Sequence, residues 1–535
     1  MKRRPAVALV SGVVFAASTP PIDLHAGILL GLVGFALSLE GDASTRLRSG
    51  ALLGWCFGLG ANLVALRFVP EVILRYTPLP AVAAWTALVL LCAAQALPWA
   101  AGGAVARWLA RPAKTTGEAL APSWLAYALG VYVATFLPAI FPWTPSGGLA
   151  PWPVLLQTAE VIGERGTSFL CAIAAGFAAV AIVRARSTGL RSARAPLALS
   201  ATVLVVMLVF GALRMRSVEQ TREAAPHARV ALMQPGFDAG DRWEASRATM
   251  MMERLTTLTK SAEQRGQAER NSFAQGIDLT VWPESAYPFT LPHSTRTSPH
   301  GSRAVLQPGV RGPVLTGAYM SGVGGLGYNS AILASADGTL SAPYDKRHLL
   351  WFGETVPLAD TFPWLRKVFA KGTGLDAGHE SVVFVAGPVR AAVLNCYEDT
   401  LPVAGREAME QSPNLLVNVT NDAWFAGSAE GELHLRLAVL RAIETRRDLV
   451  RAVNQGPTSF VDATGRVRGR YDLPMPGTLL ATPALLSGPP TLYVRFGDAP
   501  LVLLAAAAVV VPYATKRRRR RLLSEGRRTV GNADP

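Results

Sequence analysis

Eight uncharged, apolar stretches divide this chain, seven in succession at its start and one near its end, with a polar segment of residues 216–498 between the seventh and the eighth. They run from Pro5 to Ile22, Leu24 to Leu39, Ser49 to Leu66, Ala81 to Ala106, Ala119 to Ala159, Gly166 to Val183, Ala195 to Leu213 and Ala499 to Thr515. About 20 apolar residues cross a hydrocarbon core, so most of these stretches are long enough to span; the first two are short and interrupted by Pro20 and Pro21. Core helices of a large soluble protein do not come seven in a row with basic punctuation. The 535 residues are 50% hydrophobic and only 17% charged, the balance of a membrane protein. The expected organisation is a multi-span α-helical membrane domain over 1–215 with seven transmembrane helices, a polar domain over 216–498, an eighth span over 499–515 and a basic tail over 516–535. The first segment, behind Met-Lys-Arg-Arg-Pro, also has the basic start and the small residues Ala16 and Ala17 of a signal peptide, whose cleavage would leave the remaining topology unchanged.

Basic residues set the orientation. With eight spans, Lys2, Arg3 and Arg4, then Arg46 and Arg48, then Arg107, Arg111 and Lys114, then Arg184, Arg186, Arg191 and Arg194, and finally Lys516 to Arg521 all fall on one side, which the positive-inside rule makes cytoplasmic. The polar domain is thereby expected outside the cytoplasm. Arg67, Arg75, Arg165, Arg214 and Arg216 run against the pattern, and Arg214 and Arg216 are expected to meet lipid phosphates. This topology and the tail explain much of the net charge of +15, which leaves nucleic-acid binding little support.

Within the polar domain the pattern changes to short β-branched runs alternating with helical ones. Arg229 to Gln234, Asp278 to Trp282, Pro313 to Ala318, Asn329 to Ser335, Ser381 to Ala386, Val389 to Asn395, Asn414 to Val419 and Val450 to Asn454 read as strands, several apolar throughout and so buried on both faces. Trp243 to Ala262, Leu401 to Gln411 and Glu432 to Arg446 read as helices, which gives an α/β layered domain. Pro292 to Gly312 reads as a mobile surface loop.

Three residues at strand ends stand out, because chemistry in α/β sheets gathers there. Glu284 follows the strand ending at Trp282, Lys346 follows the loop after Asn329 to Ser335, and Cys396 closes Val389 to Asn395. Cys396 is the only cysteine of the domain, so it has no internal disulfide partner and is either an inert core thiol or a nucleophile. Taken singly, a lone Cys is more often a packed small hydrophobe, and a lone Glu or Lys a surface charge. Cys56, Cys92 and Cys171 lie in separate spans and no metal-type spacing occurs, so neither a metal nor a cofactor is expected.

The flanking residues change those odds. Asp-Leu-Thr-Val-Trp-Pro-Glu-Ser around Glu284, Tyr-Asp-Lys-x-His-Leu-x-x-Phe-Gly-Glu-x-Val-Pro around Lys346, Asn-Cys-Tyr-Glu around Cys396 and Asn-Val-Thr-Asn-Asp-Ala-Trp-Phe ending at Phe425 resemble the nitrilase superfamily and, within it, its membrane branch, the apolipoprotein N-acyltransferases. The resemblance covers essentially the whole chain. It implies an αββα sandwich for the polar domain, with Glu284 as general base, Lys346 as the cation supporting an oxyanion and Cys396 as nucleophile. It further implies supporting or substrate-binding roles for Glu354, Tyr397, Glu398, Trp243 and Trp424, although plain packing explains either tryptophan equally well. Leu350-Trp351, Thr355 and Glu430-Gly431-Glu432-Leu433 before His434 depart from the family's pattern and put acyl-chain preference and docking of the second substrate in doubt.

The activity so implied is transfer of an acyl chain from a membrane phospholipid, through a Cys396 thioester, to the N-terminal amine of a diacylglyceryl-cysteine on an apolipoprotein, by a monomer in a bacterial inner membrane with its catalytic domain on the periplasmic side. Apolar loops at Leu349 to Phe352 and Phe362 to Leu365 are expected to dip toward the membrane, and lipid to enter near Phe141, Trp143 and Trp152. Two other readings stay open: a membrane-tethered amidase acting on a small amide, since the same trio serves water as acceptor, and a seven-helix channel or transporter with a catalytically dead outer domain, which should carry paired midplane charges that these runs lack.

Overall fold

A computed structural model describes residues 3–40, 47–111, 119–139, 141, 143–268, 276–325, 327–351, 353–356, 361–364 and 374–530, without the side chains of Trp243 and of 516–530. Apolar sequence in the first part folds into nine helices among the described residues: α1 Arg4–Ala16, α2 Gly27–Leu39, α3 Leu47–Ala65, α4 Val69–Tyr76, α5 Ala81–Gln95, α6 Leu97–Ala110, α7 Ser123–Ala134, α8 Ala159–Thr188 and α9 Leu190–Ala224. By length and composition, α5 with α6, α8 and α9 can each cross a membrane, and α3 with α4, bent by 54°, is long and apolar enough for a broken span or a re-entrant loop. The apolar helices α1, α2, α7 and the stretch Ala499–Thr515 are shorter. At 1.5 Å per residue, a 13-residue helix such as α1 covers roughly 20 Å of the roughly 30 Å hydrocarbon core. The stretch expected as one span, Ala119 to Ala159, is helical only over Ser123–Ala134 and then continues through short 3₁₀ turns at Gly147–Leu149 and Pro153–Leu155. Proline recurs there, at 138, 142, 145, 151 and 153, and breaks the helical ladder.

Glycines let these helices close on one another. A Cβ at Gly54 of α3 would overlap the Trp99 carbonyl of α6, and Gly102 of α6 faces Gly130 of α7 the same way. Such close approach is how helices associate where no water drives them together. Their outer faces are apolar and open, with Val82 and Leu90 on α5 and Leu197, Val206 and Leu213 on α9 each more than half exposed, which suits lipid rather than water.

The polar domain is two packed sheets. Its strands are β1 Val230–Gln234, β2 Leu279–Val281, β3 Leu291–Pro292, β4 Val314–Ser321, β5 Gly327–Ala334, β6 Tyr344–Asp345, β7 Val383–Ala386, β8 Val389–Asn395, β9 Leu415–Thr420, β10 Leu449–Val453, β11 Thr458–Val461, β12 Val467–Tyr471 and β13 Gly477–Ala481. One sheet runs β13-β1-β2-β4-β5-β6 with β3 beside β4, the other β12-β11-β10-β9-β8-β7. In each, the central strands are parallel: β1, β2 and β4 in the first and β8, β9 and β10 in the second. Val230, Leu232 and Val281 of the first sheet interdigitate with Val393, Val417 and Val450 of the second. Helix α10, Ala248–Ala268, covers the outside of the first sheet through Met251, Met252 and Leu255. Helices α11, Pro402–Ala408, and α12, Glu430–Thr445, cover the second. The layers are αββα, as the resemblance implied, and the chain ends in α13, Leu492–Phe496, and α14, Ala499–Val530.

The expected helix over Trp243 to Ala262 begins later, because Glu244 takes an extended backbone between two 3₁₀ turns. The segment after β3 runs irregularly with Val305 fully buried, and Tyr287 Oη donates to the Arg303 carbonyl at 2.6 Å.

Helix α12 is the joint of the molecule. Leu435, Ala438, Leu440 and Ile443 belong to one core with Leu394 and Leu416 of the second sheet and with Leu149, Leu156 and Phe169 of the helical part. Charges cross the same joint: Arg441 pairs with Glu164 of α8 at 2.6 Å, Arg446 with Glu160 at 2.7 Å and Arg436 with Asp23 at 2.7 Å. Two of the basic residues that ran against the topology pattern are paired with carboxylates. Arg214 pairs with Glu160 at 2.5 Å instead of waiting for lipid phosphate, and Arg165 with Asp498 at 2.6 Å.

Candidate active site

β8 delivers Cys396 to the edge of the second sheet, where the backbone turns into a 3₁₀ helix over Cys396–Thr400. At φ +53° the cysteine sits in the left-handed region, a strain that non-glycine residues carry where surrounding structure imposes it. Several contacts impose it here. Asn395 and Glu398 form a reciprocal capping box across the turn, and Asn418 Nδ2 donates to the Cys396 carbonyl at 3.2 Å. Of the four cysteines, Cys396 alone is only half-buried, the other three being buried.

Glu284 arrives from the first sheet, just beyond β2, with Ser285 after it also left-handed at φ +53°. Its Oε2 accepts the Asn421 backbone N–H at 3.0 Å, and its carboxylate faces the Cys396 thiol. Lys346 follows β6 and is 1% exposed. Its Nζ lies 2.8 Å from Glu354 Oε2 and 3.6 Å from Glu284 Oε1. The fold therefore brings together Glu284, Lys346 with Glu354, and Cys396 from three separate stretches of sequence.

Asn329 on β5 organises the cluster. Its Nδ2 donates to Glu284 Oε1 and to Glu354 Oε1, each at 2.7 Å, and its Oδ1 accepts from Asn395 Nδ2 at 3.2 Å. That orientation is forced, since two carboxylates can only accept. The same residue's carbonyl holds the Lys346 N–H at 2.9 Å.

The electrostatics follow from burial. Loss of water pushes Glu284 up from the ordinary carboxylate range, with Lys346 opposing and Glu354 assisting. Burial also disfavours charge on Lys346, but Glu354 and Glu284 outweigh it and hold the ammonium well above an ordinary lysine. Glu354 is likewise penalised by burial, yet Lys346 and the Leu350 N–H hold it low. Burial and the facing Glu284 push the Cys396 thiol well up, against the pull of Lys346. The resting arrangement is thus a neutral thiol beside a carboxylate of raised basicity, with one ion pair fixed next to both.

The remaining expected site residues divide. Glu398 is fully buried and spends its oxygens on Tyr344 Oη at 2.8 Å and on the N–H groups of Arg347, His348 and Asn395 at 2.7, 3.0 and 2.8 Å, so it positions the Lys346 and Cys396 segments from behind and does not face a substrate. Tyr397 is half-buried beside Cys396, and burial pushes its hydroxyl up to about 12. Trp424 packs edge-on against Tyr76 of α4 at 4.8 Å. The backbone of Trp243 ends a 3₁₀ turn, and its side chain lies outside the described structure. Of the two apolar loops, Trp351, Phe362 and Trp364 are each more than 40% exposed, whereas Phe352 and Leu365 lie outside the described residues. Trp143 stacks on Phe15 at 5.0 Å inside the helical bundle, and Trp152 is half exposed.

Sequence reading missed Asn329, Asn395, Asn421 and His434. An asparagine beginning or ending an otherwise apolar strand, as Asn329 and Asn395 do, was the available signal, since a buried amide needs partners. One cluster among the described residues, Asp422, Glu430 and His434, brings three possible metal ligands within 4.8 Å. His434 already has both nitrogens engaged, Nδ1 with Asp422 at 3.1 Å and Nε2 with Asp399 at 2.8 Å.

Comparison with known proteins covers the chain in two blocks: the family described as apolipoprotein N-acyltransferase N-terminal domain matches residues 11–177, and carbon-nitrogen hydrolase matches residues 229–483. Among curated relatives, the apolipoprotein N-acyltransferase of Geobacter metallireducens is 30% identical over 495 residues, 92% of this chain and 91% of that one. The apolipoprotein N-acyltransferase of Bradyrhizobium diazoefficiens is 31% identical over 528 residues, 94% and 93% of the two chains. Among solved structures, a cysteine-to-serine variant of a nitrilase-superfamily amidase from Nesterenkonia aligns with 52% of this chain and 96% of its own at 18% identity and a TM-score of 0.37.

Proposed function

Because the chain belongs to the apolipoprotein N-acyltransferase family, we infer that the cluster around Cys396 carries an acyl chain from a phospholipid ester to the N-terminal amine of a diacylglyceryl-cysteine on an apolipoprotein. The observation that carries this reading is the meeting of Cys396 with Glu284, Lys346 and Glu354 in a chain whose full-length relatives bear that name. The amidase reading is the weaker, since the relatives that match the chain from end to end are acyltransferases.

The chemistry runs in two transfers with Cys396 as carrier. In the first, Glu284 takes the thiol proton as sulfur attacks the ester carbonyl, a base of raised pKa being suited to a thiol of raised pKa. Lys346 Nζ and the Tyr397 N–H face the developing oxyanion, about 3 kcal/mol per donor in comparable sites. Collapse expels the lysophospholipid alkoxide, which takes the proton from Glu284 and leaves a thioester. In the second, the amine attacks the thioester, Glu284 accepts its proton, and collapse returns the proton to the departing Cys396 sulfur and forms the amide. Glu354 keeps Lys346 charged and in place throughout.

Membrane helices give this site its substrates. Lifting two or three acyl chains into water costs about 0.8 kcal/mol per CH₂, tens of kcal/mol in all, which a site at the bilayer surface avoids. We place the short apolar helices among eight spans, the basic loops in the cytoplasm of a bacterial inner membrane and the αββα domain on its periplasmic side, acting as a monomer with Trp351, Phe362 and Trp364 toward lipid. Intact mass of the purified full chain after exposure to phospholipid tests the scheme. One acyl adduct released by hydroxylamine and absent from Cys396→Ala is expected; a Cys396→Ala protein that still transfers acyl chains would refute it.

A further inference from the structure

The nucleophile and its base come from different sheets, and what fixes their separation lies behind them. Cys396 opens the turn Cys396–Thr400, and three residues on, Asp399 is fully buried. Glu284 is held by the backbone N–H of Asn421, whose neighbour Asp422 is 3% exposed. Between these two aspartates sits one side chain of α12, His434, 5% exposed, with Nε2 2.8 Å from Asp399 Oδ1 and Nδ1 3.1 Å from Asp422 Oδ1. We propose that His434 is a positioning residue for the reaction: as a doubly donating imidazolium it ties the turn that carries Cys396 to the loop that holds Glu284, and so sets the distance between thiol and base.

Only the charged ring can make both bonds, because a neutral imidazole donates once. The surroundings favour that state. Burial disfavours the charge, but Asp399 and Asp422 override it and keep the ring well above an ordinary histidine. From β10, Arg451 completes the set at 2.9 Å from Asp399 Oδ2, and on the helix itself Glu430, 4.0 Å from Nδ1, is pushed up by burial and by Asp422. His434 and Arg451 thus face Asp399 and Asp422, and burial with Asp422 favours the neutral form of Glu430. The bridge also has a direct electrostatic effect, since Asp422 is among the charges that raise the Cys396 thiol. A cation on Asp422 softens that effect.

This inference rests on the acyl-transfer reading for its kinetic arm but not for its thiol arm. In the full chain in detergent, His434→Gln retains a donor for Asp399 alone and His434→Asn one for Asp422 alone, so neither bridges. Acyl-enzyme formation with dioleoylphosphatidylethanolamine micelles is expected to fall at least tenfold in both, with its dependence on lipid concentration unchanged. Alkylation of Cys396 by iodoacetamide, which needs no lipid, is expected to shift to higher pH in His434→Gln, where Asp422 loses its cation, and to return toward wild type in Asp422→Asn/His434→Gln. Wild-type acylation and alkylation profiles in folded His434→Gln would overturn the proposal, as would one equivalent of divalent metal bound at Nδ1 in the purified protein. Should His434→Gln not fold, Asp422→Asn alone decides: slower acylation with a thiol profile moved to lower pH supports the bridge, and no change overturns it.

Discussion

Replacing Asn329 by leucine, which has nearly the same shape but no donor, tests how the base is tuned. Its Nδ2 gives each of Glu284 and Glu354 a 2.7 Å hydrogen bond, and both go to carboxylates that are paired with Lys346. A hydrogen bond to a charged group contributes about 1.5–3 kcal/mol, and 1.36 kcal/mol is one pKa unit, so losing the bond to Glu284 raises its pKa by about 1–2 units beyond its already raised position. The sign follows from which form the amide stabilises. Asn329 favours the ionised carboxylate; without it Glu284 holds its proton to higher pH, and a protonated Glu284 cannot accept the thiol proton. The acid limb of acyl-enzyme formation therefore moves up by about 1–2 pH units, and on that limb the rate falls about 10- to 100-fold. Single-turnover acylation of Cys396 by phospholipid, followed by intact mass across pH, reads the shift directly. A thermal midpoint measured alongside separates this effect from the stability lost when Asn395 Nδ2 keeps only the backbone carbonyl of residue 329 as its acceptor. An acid limb that stays where it was in a folded Asn329→Leu protein would refute the assignment of Glu284 as the titrating base.

Lys346→Met should leave Glu284 and Glu354 facing each other without their shared cation. Breaking a buried pair of this kind costs about 3–5 kcal/mol, so a marked fall in the thermal midpoint is expected together with loss of acylation, and an unchanged midpoint would mean that the carboxylates are not both ionised at rest. Gly317 on β4 backs directly onto the base: an added Cβ would lie 2.6 Å from the Glu284 Cα and against the Ser285 N–H, both backbone atoms that cannot swing aside. Gly317→Ala is expected to slow acyl-enzyme formation about 10²-fold, the cost of moving a catalytic group by about 1 Å, with the lipid concentration dependence unchanged.

How far the sequence foretold this structure depended on whether a feature was local. The eight strands expected from β-branched runs appear within a few residues of their places, because an apolar run buried on both faces advertises itself. Among the strands it hid, Val467–Tyr471 carries two arginines and is mostly exposed, and Tyr344–Asp345 has only two residues. The same divide runs through the site. Glu284, Lys346, Glu354 and Cys396 sit inside long motifs, whereas Asn329, Asn421 and His434 act through partners up to 137 positions away, a relation that no local pattern records. Arg214, expected at lipid phosphate, was misread for the same reason, since Glu160 pairs with it from a distant stretch.

The helical part does more than hold the catalytic domain at a surface. The loop after β9 supplies the Asn421 N–H that anchors Glu284, and its far side is gripped by α4: Tyr76 Oη donates to the Ala423 carbonyl at 3.1 Å and Arg75 Nη1 to that of Ala426 at 2.8 Å. Phe425 meets Phe68 edge-on at 5.6 Å at the bend between α3 and α4. From the other direction, α12 carries His434 on one face and Arg441, locked to Glu164 of α8, two turns further along. The Asn421 loop and α12 are therefore each tied directly to a helix of the apolar part, and through them so are the supports of Glu284 and Cys396. A soluble catalytic domain would need neither grip, because its loops could be fixed by its own core. Here the arrangement around Cys396 is completed by contacts from the helical part, so the two parts of the chain build the cluster together.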